Sequence, residues 1–137
     1  MLRIETKSRA RALQILYAWE LDGRPPIPVV ATGVARLTGP EPRILDRAEV
    51  LAAGIAADIE SLDAELARAA ENWRMSRIAV VERNILRLGI HELRRAEVPP
   101  KVAIDEAVKL AHWFGGERAA GFVNGILDAV ARSLGRL

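Results

Sequence analysis

The chain contains no cysteine, which excludes disulfide bonds, thiolate nucleophiles and cysteine-based metal sites. It also has no apolar run approaching the roughly 20 residues that a membrane-spanning helix needs. The first residues lead into a charged segment rather than the apolar core of a signal peptide. We therefore expect a cytoplasmic protein.

Motifs for catalysis and nucleotide binding are lacking as well. Neither G-x-G-x-x-G nor G-x-x-x-x-G-K-[ST] occurs, and the two histidines, His91 and His112, do not form H-E-x-x-H. The serines lack the sequence context of a nucleophile elbow, and the carboxylate pairs fall where solvated helix surfaces are expected. The sequence thus predicts no catalytic residue, no metal site and no cofactor.

What the chain does have is the composition of a soluble globular domain. Its 137 residues are 50% hydrophobic and 28% charged, which predicts one domain, residues 1–137, with a hydrophobic core. The net charge of +2 is too small to indicate a nucleic-acid partner by itself. The first eleven residues are more basic, however, because four cations and one glutamate give them a charge of +3.

Apolar residues recur every three to four positions, as in amphipathic helices. A first helix is predicted from about Thr6 to Leu21, and its core face is formed by Ala12, Ile15, Leu16 and Trp19. Residues 22–42 are rich in proline and glycine and predict a turn-rich connection, within which 29–37 could form a short helix. A long helix is predicted over about 43–72.

The second half predicts three further helices. Ser76 is the expected N-cap of the next one, in which Gly89 costs about 1 kcal/mol relative to alanine and therefore suggests close approach of a neighbouring helix. After Pro99-Pro100, Asp105 and Glu106 suit the start of another helix. Its predicted core face contains Ala107, Leu110, Ala111 and Phe114, and the core face of the last helix contains Val123, Leu127, Val130 and Leu134.

Two surface features leave alternatives open. Arg3, Lys7 and Arg11 would line one side of the first helix, while Arg9 would point elsewhere. Cations near the ring of Tyr17 suit single-stranded RNA, but a solvated helix end is the simpler interpretation. Trp113 falls on a largely polar helix side, where it could mark a contact surface or lean back onto the core.

Three motifs together resemble the NusB family of bacterial transcription antitermination factors. They are V-E-R-N-I-L-R-L-G-I-H-E-L (81–93), V-P-P-K-V-A-I-D-E-A-V-K-L-A (98–111) and F-V-N-G-I-L-D (122–128). The first helix, R-A-R-A-L-Q-I-L-Y-A-W-E (9–20), is similar to the arginine-rich opening of the family. Between residues 22 and 75 only the helical pattern matches.

The resemblance implies an all-α fold, a compact bundle of about six to seven helices in two small subdomains. It implies no catalysis. NusB-like proteins bind single-stranded boxA RNA of ribosomal RNA leaders together with NusE, a small-subunit ribosomal protein. The complex joins RNA polymerase and suppresses premature termination. NusB-like proteins can be monomers or homodimers, so a homodimer is possible here.

The resemblance also assigns roles to particular positions of this sequence. NusE would face Tyr17 and Glu82. RNA would face positions in the first and last helices, with Arg118 adding a positive charge beside them: Lys7, Arg9, Arg11, Arg118, Phe122 and Asn124.

The chain departs from the family pattern in places. Its first helix has fewer arginines than many members, which predicts weaker RNA binding, and Trp113 stands where the family usually has a polar residue. Two other functions remain possible from the sequence. One is the similar N-terminal domain of some ribosomal RNA cytosine methyltransferases, and the other is a protein-binding helical scaffold without RNA.

Overall fold

The fold is all-α, as predicted. The computed structural model describes residues 2–39, 41–70 and 75–137, and these residues contain no strand. Within them, no helix is long and apolar enough to cross a bilayer. The helices are α1 (Ile4–Leu21), α2 (Ile27–Thr38), α3 (Pro42–Ala57), α4 (Ile59–Ala69), α5 (Val80–Arg95), α6 (Pro100–Gly115) and α7 (Glu117–Ser133).

The chain divides into two compact units, which agrees with the two small subdomains expected. Unit 1 is residues 1–57 and contains α1 to α3, whereas unit 2 is residues 58–137 and contains α4 to α7. In unit 1, α1 contacts both α2 and α3. The predicted core face of α1 is confirmed, since all four of its residues are buried: Ala12, Ile15, Leu16 and Trp19.

The proline-rich connection contains a regular helix, α2. The short helix predicted over 29–37 is confirmed and extends to Ile27–Thr38. Pro28 lies in its first turn, where the missing N–H of proline costs little because that group has no partner within the helix. Gly39 follows with a φ of 92°, a left-handed conformation that ends the helix at little cost for glycine.

The single long helix predicted over 43–72 is wrong for its described part, because the chain leaves helical geometry at Asp58. This residue has φ −113° and ψ 18° and separates α3 from α4. Aspartate is a poor helix former in the interior of a helix and is favoured at a helix start. Its carboxylate also lies 3.8 Å from the Nη1 of Arg94 on α5. Residues 71–74 lie outside the described residues.

In unit 2, α5 contacts α4, α6 and α7. The close approach inferred at Gly89 is confirmed, because a Cβ atom there would lie 2.6 Å from the Cδ1 of Leu127 on α7. Ile85, Leu88 and Leu127 are fully buried around this crossing. Glycine therefore lets α7 pack directly against the backbone of α5.

A buried ion pair fixes α4 against α5. Arg87 is only 2% exposed, and its Nε and Nη2 donate to the two carboxylate oxygens of Asp63 at 2.7 and 2.9 Å. Its Nη1 donates to the Oδ1 of Asn84 at 2.9 Å, and the Nδ2 of Asn84 donates to the carbonyl oxygen of Val80. Each of the three nitrogens of the planar guanidinium therefore donates at least one hydrogen bond.

The last residues of the chain fold back onto the junction between α5 and α6. Gly135 turns the backbone with a φ of 71°. Arg136 then donates from Nη1 to the carbonyl oxygen of Leu93 at 2.6 Å and from Nη2 to that of Val98 at 3.3 Å. Its guanidinium thereby caps the carboxyl-terminal end of α5, where carbonyl groups lack helical partners.

Two predicted helix starts are wrong. Ser76 is not an N-cap, because α5 begins at Val80 after a separate 3₁₀ helix, Met75–Arg77. Arg83 stabilises that turn by donating to the carbonyl oxygens of Met75 and Ile78. Asp105 and Glu106 do not open their helix either, since α6 begins at Pro100.

Two predicted core residues also differ. Phe114 is 42% exposed rather than buried, because the two glycines that follow it bring no side chain to cover its ring. Leu134 lies just beyond the end of α7 and is half-buried, whereas Val123, Leu127 and Val130 are buried as predicted.

Candidate nucleic-acid and partner surfaces

The cations of α1 do not share one surface. Because the helix is regular here, Arg3, Lys7 and Arg11 follow one another at four-residue spacing on one side, as predicted. Lys7 and Arg11 are half-buried and Arg3 is exposed. Arg9 lies two residues from Lys7, roughly 160° around the helix, and it is only 8% exposed. The structure therefore brings Lys7 and Arg11 together and sets Arg9 apart.

The guanidinium of Arg11 has unused hydrogen-bonding capacity. Its Nη1 is buried, and within the part of the chain that the structure describes no acceptor lies within hydrogen-bonding distance of it. A buried donor without an acceptor costs about 1–3 kcal/mol. An incoming oxygen acceptor would remove that cost if the guanidinium turned towards it.

Tyr17 lies farther along α1 and is 39% exposed. Leu21 follows one turn later and is also exposed, so the two side chains share a side of the helix. An exposed tyrosine beside an exposed leucine is a small surface with both an apolar and a hydrogen-bonding component. Such a surface suits a protein contact.

In unit 2, the beginning of α7 carries the other candidate RNA-binding residues. Arg118 is exposed and Phe122 is half-buried, and their four-residue spacing places them on one side of the helix. Asn124 is exposed but lies two residues beyond Phe122, roughly 160° around the helix. A ring and a guanidinium on one side can stack on a base and bind a phosphate, whereas Asn124 faces away from them.

Glu82 lies in the first turn of α5, and its carboxylate reaches the corner between α6 and α7. A Cβ atom at Gly115 would lie 3.9 Å from the Oε1 of Glu82. The side chain of Glu82 is half-buried, and within the described residues no ion pair of it is found. It therefore presents a negative charge beside the last turn of α6.

The same turn carries two exposed aromatic side chains. Trp113 is 47% exposed, which decides between the two interpretations of the sequence in favour of a surface position, and Phe114 is nearly as exposed. The exposure of Phe114 was missed because its spacing continues the buried stripe of α6. The signal that could have revealed it is Gly115-Gly116, which follows directly.

Among the described residues, no group of three or more histidine or acidic side chains could hold a metal ion. His91 is buried on α5, and burial, followed by the positive charge of Arg95, lowers its pKa. A neutral, packed imidazole is the expected state of this side chain at neutral pH.

Comparison with known sequences identifies one family. The model of the NusB family matches residues 6–132. Transcription antitermination protein NusB of Sorangium cellulosum (strain So ce56) is 45% identical over 130 residues, which cover 94% of this chain and 92% of that protein. The protein of the same name from Anaeromyxobacter sp. (strain Fw109-5) is 38% identical over 129 residues, covering 94% and 90%.

Solved structures of similar fold are also NusB proteins. One is the crystal structure of antitermination factors NusB and NusE in complex with dsRNA. It matches with a TM-score of 0.84 and 27% identity, covering 97% of this chain and 99% of that chain. Another is T. maritima NusB, which matches with a TM-score of 0.84 and 29% identity, covering 96% and 93%.

Proposed function

The chain belongs to the NusB family, and on that premise we propose that it is a non-enzymatic, RNA-binding transcription antitermination factor of the bacterial cytoplasm. The observation that carries the proposal is the match over 97% of this chain to a NusB protein in complex with NusE and dsRNA. Because the family match runs across the boundary between the two units, we further propose that residues 1–137 act as one NusB-like domain.

The RNA ligand proposed is single-stranded boxA RNA, held by cations of α1 and by the beginning of α7. Lys7 and Arg11 would bind phosphates, and the unsatisfied Nη1 of Arg11 supports this role because a phosphate oxygen is a strong acceptor. Arg9 remains in the proposal as a third cation. Its small exposed fraction predicts that replacing it lowers stability as well as RNA affinity.

The proposed residues of α7 bind RNA in a different way from the cations of α1. Phe122 would stack on a base and Arg118, one turn earlier on the same side, would bind the adjoining phosphate. Asn124 would contact a different nucleotide or the backbone, since it projects from another side of the helix. The exposed positions of Arg118 and Asn124 support these assignments.

NusE is the proposed protein partner, and Tyr17 and Glu82 are its proposed contacts. Tyr17 offers an exposed ring with a hydroxyl group, and Glu82 offers a carboxylate that could pair with a cation of a basic ribosomal protein. Together with RNA, the two proteins would join RNA polymerase and suppress premature termination at ribosomal RNA leaders.

Titrations of boxA RNA across several salt concentrations, with and without NusE, test the RNA-binding residues. Lys7→Ala and Arg11→Ala should each weaken binding and reduce the slope of log K against log salt by about 0.7 for each phosphate that the variant no longer neutralises. Phe122→Ala should weaken binding by about 1–3 kcal/mol without changing the slope. Arg36→Ala is the matched control, because Arg36 is an exposed arginine of unit 1 on α2 that the proposal does not use.

The outcome separates the proposal from a scaffold that does not bind RNA. If the unaltered protein fails to bind boxA RNA even with NusE present, the proposed function is wrong. If it binds but Lys7→Ala, Arg11→Ala and Phe122→Ala all behave like Arg36→Ala, the assignment of the surface is wrong. A duplex of the same sequence, titrated in parallel, would show whether the single strand is the preferred form.

A further inference from the structure

The surface between α6 and α7 that faces away from α5 carries one aromatic ring from each helix. We define this α6–α7 groove by Lys109 and Trp113 on α6 and by Arg118 and Phe122 on α7. We propose that it holds two successive bases of single-stranded RNA, one stacked on Phe122 and the next on Trp113. This inference rests on the proposed RNA-binding function and adds to it a second stacking residue, on a second helix.

The direction of Trp113 follows from a close approach between α6 and α5. A Cβ atom at Gly115 would lie 3.9 Å from the Oε1 of Glu82 on α5, so Gly115 marks the side of α6 that faces α5. Trp113 precedes Gly115 by two residues and lies roughly 160° around the helix from it. Its ring therefore projects from the side of α6 opposite α5, and Lys109, one turn earlier, lies on the same side.

A second close approach gives the direction of the residues on α7. A Cβ atom at Gly89 of α5 would lie 2.6 Å from the Cδ1 of Leu127, so Leu127 marks the side of α7 that faces α5. Phe122 precedes Leu127 by five residues and Arg118 by nine, which sets them roughly 140° and 180° around the helix from it. Both side chains therefore project away from α5.

The two sides that face away from α5 adjoin one another. The helices α6 and α7 contact each other and are joined by the single residue Gly116, so they form a helical hairpin. Because both also contact α5, the sides turned away from α5 form one continuous surface. Trp113 lies three residues before Gly116 and Phe122 six residues after it, so both rings lie within two helical turns of the same corner.

The rings and cations of the groove are accessible. Trp113 is 47% exposed, Arg118 is exposed and Phe122 is half-buried. The Nζ of Lys109 lies 3.0 Å from the Oε2 of Glu106, whose side chain is only 10% exposed, whereas that of Lys109 is 45% exposed. This carboxylate is therefore paired and largely covered, so it repels an anionic ligand little.

Rings flanked by cations match the chemistry of single-stranded RNA. Bases stack on aromatic faces, and cations beside the rings bind the phosphates of the strand. Lys109 and Arg118 come from different helices, so a strand that passes from one helix to the other would meet a cation on each. The same two cations disfavour a basic protein as the occupant, because like charges brought together at an interface cost affinity.

Titrations of the full chain with boxA RNA test the inference. Trp113→Ala should raise the Kd about tenfold, which corresponds to about 1.4 kcal/mol, without changing the salt dependence, because a ring rather than a charge is removed. Trp113→Phe should restore most of the affinity, since it keeps a stacking face. Val102→Ala is the matched control: Val102 is 41% exposed on the same side of α6 but lies about 16 Å away along the helix. It should change the Kd less than twofold.

A set of boxA RNAs in which one nucleotide at a time lacks its base identifies the stacked partner. At one position the missing base should raise the Kd of the unaltered protein about tenfold and leave that of Trp113→Ala unchanged, because the ring and the base form a single interaction. The corresponding position for Phe122→Ala should be the neighbouring nucleotide. A merely structural role of Trp113 would instead lower the affinity for all these RNAs alike. Far-UV circular dichroism of each variant checks that the helices are retained.

The possible results point to different errors. If the unaltered protein binds boxA RNA and Trp113→Ala binds it as Val102→Ala does, the inference is overturned, even where the same variant weakens NusE binding. It is likewise overturned if Trp113→Ala lowers the affinity equally for every RNA that lacks one base, or if the positions found for Trp113 and Phe122 are not adjacent. If the unaltered protein does not bind boxA RNA even with NusE present, the proposed function itself fails and this inference fails with it.

Discussion

Replacing Asp63 with alanine should destabilise unit 2 more than any surface substitution. The guanidinium of Arg87 is almost fully buried and donates two of its hydrogen bonds to the Asp63 carboxylate. Without that carboxylate, a permanent positive charge stays in the interior without this counter-ion, because arginine does not deprotonate in proteins. Removing one partner of a buried pair costs about 3–5 kcal/mol.

The structure places the expected loss at the lower end of that range. Asp63 is itself 30% exposed, so water can reach the edge of the vacated site and part of the Coulomb energy is already screened. The bond from Arg87 to Asn84 also remains. We therefore expect a loss of about 3 kcal/mol in the free energy of unfolding, which for a chain of this length lowers Tm by about 10 °C.

Urea denaturation followed by far-UV circular dichroism measures the loss. Asp105→Ala is the matched control, since Asp105 is an exposed aspartate of the same unit and should change stability by no more than about 0.5 kcal/mol. Adding Arg87→Met to Asp63→Ala should recover part of the loss, because it removes the uncompensated charge. If Asp63→Ala loses no more stability than Asp105→Ala, the pair does not stabilise unit 2 as argued. The same holds if the loss in the double variant equals the sum of the losses in the two single variants.

Two further predictions concern the packing and the titration of α5. Gly89→Ala should lower the free energy of unfolding by about 1–2 kcal/mol, because the added Cβ would overlap Leu127 and the strain exceeds the gain in helix propensity. In a Leu127→Ala background the same change should be neutral or stabilising. Equal losses in both backgrounds would refute the clash. Burial and the charge of Arg95 lower the pKa of His91, so the unfolded chain binds a proton at this imidazole more readily than the folded protein does. The contribution of neutral His91 to stability is therefore complete above about pH 6.5 and is lost as the pH falls below that value. Urea titrations at pH 8 and pH 5.5 should therefore show a smaller acid-induced loss for His91→Asn than for the unaltered protein, and identical losses would contradict the assignment.

Local patterns were sufficient to predict most of the helices and much of the core. The buried stripe of α1 follows from spacing alone, and Gly89 indicated a helix crossing because glycine inside a helix needs a compensating reason. The errors occur where contacts outside the apolar pattern are made. The chain breaks at Asp58, whose carboxylate lies beside Arg94, 36 residues away, and a 3₁₀ turn precedes α5 where Arg83 donates to two backbone carbonyl groups five and eight residues earlier. The spacing of apolar side chains shows neither contact.

Helical spacing also predicted part of the candidate surfaces. The side of α1 that carries Lys7 and Arg11 was predictable, since it depends only on helical spacing. The burial of Arg9 also follows from spacing, since Arg9 precedes Ala12 by three residues and Leu16 by seven and so lies on the buried stripe, but it was missed because arginine is usually exposed. Phe114 shows the reverse case, in which a residue on the core stripe has no neighbour to cover it.

The fold-back of Arg136 makes the order of synthesis relevant to how the protein forms. Chains are made from the amino terminus, and compact units tend to fold in that order. Unit 1 is complete in sequence at residue 57, whereas the capping bonds at Leu93 and Val98 require a side chain made about 40 residues later. These two bonds at the junction between α5 and α6 therefore cannot form until residue 136 has been made. A newly made molecule would contain the whole sequence of unit 1 well before it could form them.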